Sequence, residues 1–338
     1  MRVVKELFGM SEGREVYSFT LSQEGIEVSV IEYGARVRSI LVTTNGKQVP
    51  VALGLRSLED YLQDSYFLGA VCGRNANRIA GASFRINGKN YELEKNEGDN
   101  NLHSGSNGFH NRFFSGTEIE NGVEFRLESQ EYDQGYPGNM QICVRYTLTK
   151  ENGLRISYRT VSDQNTISNL TSHAYFNLEG TGTILNHELT IRADFYTPVD
   201  EDSIPTGEIL KVSGTPFDFT GKRRIAQSME AKEEPVCDGY DHNYVLRCEE
   251  EYPVATINAP VSGITMEVYT DLPGIQFYSG NFLLNYVFPN GIGGGKHSGF
   301  CLETQYFPDA IHRSHFGQPI IKAGEVFETY TEYRFPRQ

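Results

Sequence analysis

Residues 142–159 read ICVRYTLTKENGLRISYR, and this stretch indicates the class of the fold. Apolar and polar residues alternate along Ile142–Leu148 and again along Leu154–Arg159, which is the period of a β-strand with one buried face. Asn152-Gly153 stands between the two runs, and this pair readily adopts the positive φ angles of a tight turn. The stretch therefore predicts two antiparallel strands joined by a turn.

The same two-residue period recurs along much of the chain, whereas helical patterns are few and short. Strand-like segments lie at Val16–Leu21, Ile26–Val30, Arg36–Val42, Phe84–Leu93 (a hairpin with an Asn-Gly turn), Glu188–Ala193, Ile264–Thr270 and Val326–Phe335. Helices are predicted only at Leu58–Leu62 and Arg224–Glu230. With 34 glycines between the segments, the pattern predicts an all-β fold, a large antiparallel β-sandwich with few short helices.

Four long polar segments separate the predicted strands, at 99–116, 169–186, 235–243 and 287–315. They are interpreted as loops, and in folds of this class the sheets hold the loops that carry function.

Length and charge favour some classes of function over others. The chain has 338 residues without a linker-like segment or an internal repeat, so one large domain or two ordinary domains are both compatible with it. Lys and Arg number 30 against 44 Asp and Glu, which gives a formal charge of −14. A surface this acidic repels phosphate backbones and anionic lipids. Nucleic acids and membranes are therefore not expected as partners.

The N-terminus and the cysteines predict a cytoplasmic protein. Met1–Leu7 lacks the apolar core of a signal peptide, and no apolar run approaches the ~20 residues that span a bilayer. The five cysteines, at positions 72, 143, 237, 248 and 301, are scattered and form no CxxC pair. They are interpreted as reduced thiols rather than as disulfides or zinc ligands.

Two motifs suggest a cofactor or a metal but do not fit one. Residues 291–297 read GIGGGKH, but Asn290 replaces the first glycine of a phosphate-binding loop and His297 replaces its Ser or Thr. His312 and His315 lie three residues apart, without a helical pattern or a third ligand at a recognisable spacing. We interpret the first motif as a flexible loop and the second as surface histidines.

Four other segments place acid–base side chains among polar and aromatic residues. They contain His103 in a loop rich in Asn and Gly, His173 in the run 169–178, Asp241 beside His242, and Glu303 in an apolar run. Taken singly, each has an ordinary structural explanation, because a histidine in a loop is usually just solvated. Together with Arg78 as a fixed cation, however, they form a set capable of proton transfer without a metal.

The same segments resemble the aldose 1-epimerase (galactose mutarotase) family. The shared motifs follow one another in the family's order along essentially the whole chain: Tyr33-Gly34-Ala35, GRNANRI at 73–79, Asn101-Leu102-His103, TSHAYFNL at 171–178, GYDHN at 239–243, LPGIQFYSGN at 272–281, LETQ at 302–305 and Pro308-Asp309-Ala310. Each motif is short, but their joint occurrence in this order is specific. The resemblance implies one aldose 1-epimerase domain over residues 1–338.

The resemblance also implies a galactose mutarotase-like supersandwich with an open sugar cleft, and no cofactor or metal. His173 is implied as the acid/base at the ring oxygen of the sugar, and Glu303 as the base at the anomeric hydroxyl. The residues implied to hold the sugar are Asn77, Arg78, His103, Asp241 and Gln276. Two departures from the family, Ser104 in place of the usual glycine and the run 311–316, are expected to affect sugar preference.

The expected function is therefore the interconversion of the α and β anomers of hexopyranoses such as D-galactose and D-glucose. The expected partner is a neutral monosaccharide, for which an acidic surface is no obstacle. The sequence leaves open the preferred aldose, the pathway, and the choice between a monomer and a homodimer.

Three alternatives remain open from the residues alone. A glycoside hydrolase needs two carboxylates about 5–9.5 Å apart, which Asp241 and Glu303 could supply. A noncatalytic sugar-binding protein stacks sugars on exposed aromatic residues, most favourably Trp, and this chain contains none. A paralogue acting on hexose 6-phosphates needs clustered cations. The only tight basic cluster is Lys222–Arg224, which we interpret as a solvated surface turn.

Overall fold

The chain is described from a computed structural model, which covers residues 1–236, 238–247, 249, 251–283, 288 and 294–337. Cys237 and Cys248 lie outside the described residues, as do positions 291–293 of the glycine-rich loop.

Strands form most of the regular structure. In the first half of the chain they are β1 Arg2–Ser11, β2 Arg14–Gln23, β3 Ile26–Ile31, β4 Arg36–Thr44, β5 Lys47–Pro50, β6 Val71–Cys72, β7 Arg78–Ile79, β8 Ser83–Ile86, β9 Lys89–Glu92, β10 Asn101–Leu102, β11 Ser115–Ile119, β12 Gly122–Ser129, β13 Met140–Thr149, β14 Gly153–Ser162 and β15 Thr166–Ile167. In the second half they are β16 Thr171–Ser172, β17 Tyr175–Phe176, β18 Glu188–Ile191, β19 Phe195–Thr197, β20 Leu210–Lys211, β21 Arg223–Arg224, β22 Asp241–Val245, β23 Ala255–Asn258, β24 Thr265–Thr270, β25 Gly274–Tyr278, β26 Phe300–Gln305, β27 Ile320–Ile321 and β28 Val326–Arg334.

The described strands pair antiparallel in three large sheets. The first has the order β1-β2-β3-β4-β5, the second β11-β12-β13-β14-β28-β24-β23-β18-β21, and the third β17-β26-β25-β22-β19-β20. The other described strands form four separate two-stranded ribbons, β7-β10, β8-β9, β6-β16 and β15-β27. The prediction of an all-β antiparallel fold is confirmed.

The hairpin predicted at residues 142–159 forms the third and fourth strands of the nine-stranded sheet. β13 pairs with β14 over its whole length, with Leu148 opposite Leu154. The alternating apolar residues of both strands are buried, and Asn152 in the turn has a φ of 58°. The second predicted hairpin is confirmed as β8-β9, with positive φ at Asn87 and Gly88.

Helices are short. α1 spans Leu58–Leu62 as predicted and begins with a capping box, in which Ser57 and Asp60 each accept a hydrogen bond from the other's backbone N–H. α2 spans only Ala226–Glu230. The predicted helix began at Arg224, but this residue belongs to β21 and pairs with Glu188 of β18. Single 3₁₀ turns occur at Ala80–Ala82, Phe109–Asn111, Asp133–Gly135, Ala310–His312 and Ser314–Phe316. No described helix is long and apolar enough to cross a membrane.

The interpretation of Lys222–Arg224 as a solvated turn is wrong in part. The Arg223 side chain is largely buried beside the Phe219 ring, and its guanidinium donates to the Pro216 carbonyl at 3.2 Å and to the Ser228 hydroxyl. Arg223 and Arg224 therefore form β21, and the side chain of each one binds nearby residues.

A common hydrophobic core joins the three sheets. The Tyr333 hydroxyl in β28 donates to the Leu302 carbonyl in β26 at 3.1 Å, and the Tyr333 ring packs 4.8 Å from that of Phe176. Phe19 of the five-stranded sheet packs edge-on against Phe125 of the nine-stranded sheet. One face of the six-stranded sheet therefore packs in this common core.

Candidate active site

Most of the site residues implied by the sequence come together in one cavity. The cavity has a volume of about 240 Å³, and its wall includes Asn77, Arg78, His103, His173, Asp241 and Glu303. Aromatic side chains, including those of Phe67 and Tyr175, complete the wall. A second cavity of about 260 Å³, between Gly25 and Arg337, includes none of the implied site residues.

Glu303 reaches the cavity because of the alternation along β26. Leu302 and Thr304 point into the core, so Glu303 between them points to the opposite face of the sheet. Its side chain is only 3% exposed, and its Oε2 atom has no hydrogen-bond partner among the described residues. Burial raises the pKa of the carboxyl well above its usual range, and Asp241 adds to that effect while the Arg78 cation opposes it.

His173 lies beside Glu303, in the short connection between β16 and β17. Its Nε2 atom is 3.7 Å from Oε1 of Glu303, and its Nδ1 atom is 3.5 Å from Sγ of Cys301. Its ring packs against those of Tyr175 and Phe67, at centroid distances of 5.0 and 5.6 Å. Burial among these groups lowers the pKa of His173 to about 4. Within the predicted loop 169–186, residues 169–178 are all buried, so this part of the segment is not a solvated loop.

His103 is held in one tautomer by the backbone. Its Nδ1 atom accepts a hydrogen bond from the Asn77 N–H at 3.1 Å. A neutral imidazole that accepts at Nδ1 carries its proton on Nε2. Burial, followed by the nearby His173, lowers the pKa of His103 well below its usual value. His103 thus offers the cavity a neutral N–H donor.

Arg78, Asp241 and Gln276 form a chain of polar contacts along the cavity. The Nη1 atom of Arg78 lies 3.9 Å from Oδ2 of Asp241, and Gln276 donates to Oδ1 of Asp241 at 2.7 Å. Gln276 is buried and is not part of the cavity wall, although it lies opposite Glu303 in the β25-β26 ladder. Asn77 accepts at its side-chain oxygen from the Arg78 N–H at 2.8 Å.

The two departures from the family motifs have structural explanations. Ser104 has a φ of 68°, a conformation that favours glycine, and its hydroxyl accepts from the Asn75 N–H at 2.8 Å. In the run 311–316, His312 hydrogen-bonds Asp309, and the Asp309 N–H donates to the Arg78 carbonyl. Both positions adjoin backbone that carries site residues, and neither side chain lies in the cavity wall.

Among the described residues, one set of side chains is close enough to surround a metal ion. Ligand atoms of His103, His173 and Glu303 all lie within 4.8 Å of one another. A histidine that binds a metal normally donates its other ring N–H to a partner. His103 instead accepts at Nδ1, so its Nε2 atom in the cavity carries a proton and has no free lone pair. The set does not fit a metal ion. His312 and His315 are not part of it.

Several cavity residues were not identified from the sequence, and Phe67 and Glu97 are two of them. Phe67 packs against the rings of both His103 and His173, and Glu97 binds Arg78 through both carboxylate oxygens. An aromatic residue and a surface-type glutamate carry no acid–base motif. The signal that points to Phe67 is structural, namely its φ of 58°, which is rare for a bulky side chain.

Comparison with known proteins identifies the family of the chain. The family model described as aldose 1-epimerase matches residues 17–334. A galactose mutarotase from Bos taurus is 42% identical over 95% of this chain and 94% of its own length, and one from Homo sapiens is 40% identical over 98% of both. The crystal structure of a galactose 1-epimerase from Lactobacillus acidophilus superposes with a TM-score of 0.87 at 28% identity, covering 99% of this chain and 98% of that one. The chain belongs to the aldose 1-epimerase family.

Proposed function

We propose that this protein is an aldose 1-epimerase that interconverts the α and β anomers of hexopyranoses such as D-galactose and D-glucose. The observation that carries the proposal is the buried pair of His173 and Glu303, whose Nε2 and Oε1 atoms lie 3.7 Å apart at one cavity. The chemistry is an isomerisation, in agreement with the family.

The reaction needs one acid and one base acting on the same hemiacetal. Glu303 takes the proton of the anomeric hydroxyl while His173 gives a proton to the ring oxygen, and the C1–O5 bond breaks to leave the open-chain aldehyde. Rotation about C1–C2 presents the other face of the carbonyl. The same two groups then run in reverse, so atoms and protons balance. Each positioned proton transfer contributes about 10²–10⁴-fold. No step requires a cofactor.

The remaining residues supply hydrogen bonds of different kinds for the sugar hydroxyls. Arg78 offers a charged donor, Asp241 an acceptor, and His103 a neutral donor at Nε2. We propose that Asn77 and Gln276 act mainly by holding His103 and Asp241, to which they donate hydrogen bonds. Neutral sugars with several hydroxyl groups match this mixture.

The charges of the cavity favour a neutral sugar over a sugar phosphate. Arg78 is the one cation in the described part of the wall, and carboxylates of Glu97 and Asp241 lie within 4 Å of it. In the sequence, residues 284–287 and 289–293, which lie outside the described part of the chain, include no Lys or Arg. A phosphate would find no unpaired cation here.

The other properties of the chain are proposed on separate grounds. A single domain is supported by the hydrophobic core, which includes residues from Phe19 to Phe335. A cytoplasmic location is supported by Cys72, Cys143 and Cys301, which are free thiols. The absence of nucleic acid and membrane partners is supported by the charge of −14. The choice between a monomer and a homodimer stays open.

Polarimetry of freshly dissolved α-D-galactose and α-D-glucose tests the function. The protein should accelerate the approach to the same final rotation that the uncatalysed reaction reaches. It should release no aryl group from aryl galactosides or aryl glucosides, and it should leave the mutarotation of hexose 6-phosphates much slower than that of the neutral sugars. An unchanged rate with both neutral sugars contradicts the proposal, and aryl release supports the glycoside hydrolase alternative.

A further inference from the structure

We propose that Glu97 is a positioning residue, which aims the Arg78 guanidinium into the sugar cavity. This inference rests on the proposed function, in which Arg78 holds the sugar. It concerns a residue outside the shared motifs, in the connection between β9 and β10.

The contact between the two side chains fixes the plane of the guanidinium. Oε2 of Glu97 accepts from Nε of Arg78 at 2.6 Å, and Oε1 accepts from Nη2 at 2.9 Å. Two parallel charge-assisted bonds hold a guanidinium more rigidly than a single bond can. Because Glu97 binds the Nε and Nη2 atoms of the guanidinium, the Nη1 atom faces Asp241 and the cavity.

The backbone holds Glu97 in register with Arg78. Glu97 and Asn100 exchange two backbone hydrogen bonds, of 3.2 and 2.9 Å. Asn100 also accepts at its side chain from the Gly81 N–H, and Leu102 lies directly opposite Arg78 in the β7-β10 ribbon. These hydrogen bonds therefore hold the backbone of Glu97 and that of Arg78 in a fixed relative position. His103 comes directly after β10.

The burial of the pair distinguishes it from an ordinary surface ion pair. The Arg78 side chain is 12% exposed and that of Glu97 is 36% exposed, so water competes only weakly for the arginine. Without Glu97, Asp241 is the nearest carboxylate to Arg78, only 3.9 Å away. Arg78 would then turn toward Asp241 and form a direct pair, which withdraws both groups from the sugar hydroxyls.

Steady-state kinetics of Glu97→Ala and Glu97→Gln test this role. For Glu97→Ala we expect KM for galactose to rise about tenfold or more, the usual scale for losing a hydrogen bond to a charged group, with a smaller change in kcat. Glu97→Gln keeps the shape and one acceptor, so its KM should rise less, by about threefold. The matched control is Glu230→Ala, which removes an equally bidentate but exposed partner from Arg224 and should change neither constant.

A double-mutant cycle separates positioning from direct contact. In an Arg78→Lys background, where a bidentate pair is impossible, Glu97→Ala should change kcat/KM by less than about threefold. A loss of the same size as in the wild-type background means that Glu97 acts on its own, and it overturns the proposal. So does an unchanged KM in Glu97→Ala.

A spectroscopic measurement tests the contact without any assay of activity. In ¹⁵N-labelled protein, the Nε–H signal that disappears in Arg78→Lys should exchange slowly with water, and it should shift and exchange faster in Glu97→Ala. Thermal unfolding identifies any variant that has simply lost its fold, and Glu97→Gln, with its unchanged shape, then serves in its place. If the wild type shows no mutarotase activity but this signal behaves as expected, the proposed function fails while the Glu97 contact stands. An unchanged signal in Glu97→Ala overturns the inference.

Discussion

The Nε2 atom of His173 lies 3.7 Å from Oε1 of Glu303. Burial lowers the pKa of His173 and raises the pKa of Glu303, so it favours the neutral form of each group. Between the lowered pKa of His173 and the raised pKa of Glu303, the pair therefore holds one proton. Catalysis needs that proton on His173 and a negative charge on Glu303, which is a tautomer of the same state. The apparent pKa values that a rate profile reports thus belong to the pair.

A bell-shaped dependence of kcat/KM on pH is the expected result. The pKa of His173 is lowered to about 4, so below about pH 4 the pair binds a second proton, the carboxyl is no longer a base, and the rate falls. The pKa of Glu303 is raised, so as pH rises through that raised value the pair loses its only proton and the acid is gone. The sequence alone predicts a bell around neutral pH. The structure places its acid limb lower, near pH 4, and a rate–pH profile that lacks either limb contradicts the assignment.

Arg78→Lys should be severely impaired although the charge is kept. Lysine offers a single charged point, which cannot satisfy both oxygens of Glu97 and still face Asp241. We expect kcat/KM for galactose to fall by about 100-fold, the scale of a misplaced binding group. Turnover close to that of the wild type would show that Arg78 is structural and does not bind the sugar.

Phe67→Leu should move the acid limb of the rate profile to higher pH. The ring of Phe67 packs 5.6 Å from that of His173, and its backbone is fixed because Asp64 accepts from the N–H groups of Tyr66 and Leu68 on either side. A smaller side chain lets water reach the imidazole, so the pKa of His173 rises from about 4 toward its usual 6.5. The second proton then binds at higher pH, and activity is lost earlier on acidification, by about one pH unit.

Phe327→Leu is the matched control for this change, because Phe327 is partly buried against the core on β28 and outside the cavity wall. It should leave the acid limb in place. If Phe67→Leu also leaves the limb unmoved while its fold is intact, Phe67 does not control the hydration of His173.

Activity should survive exhaustive dialysis against EDTA. His103 accepts a backbone hydrogen bond at Nδ1, so its Nε2 atom carries a proton and cannot bind a metal beside His173 and Glu303. Initial rates by polarimetry before and after dialysis check this. Loss of activity that returns with added Zn²⁺ would mean that these three residues are metal ligands.

Much of the fold could be predicted from the sequence because period-two patterns with one buried face are strong signals. Ile142–Leu148 and Leu154–Arg159 illustrate this, since their apolar residues are buried and the two strands pair across the predicted turn. Short segments were harder, because β21 and the buried run 169–178 are defined by tertiary contacts rather than by their own pattern. The length and the periodicity of a segment carry no information about such contacts.

In the site, too, some residues could be predicted from the sequence and others could not. Residues with distinctive chemistry, such as His173 and Glu303, could be selected from motifs, and the structure places them together. Phe67 and Glu97 could not, because an aromatic ring and an exposed-type carboxylate become informative only when their neighbours are known. Gln276 illustrates the converse, since its motif implies a sugar contact whereas its side chain contacts Asp241.

The most direct test of the account is the mutarotation rate of Glu303→Gln, measured by polarimetry together with calorimetric binding of galactose. Glutamine keeps the shape of the side chain but cannot take the anomeric proton. We predict that kcat falls by at least about 10²–10⁴-fold while galactose still binds with an affinity close to that of the wild type. A Glu303→Gln enzyme that retains its turnover would show that the base lies elsewhere, with Asp241 the first candidate, and would contradict the mechanism.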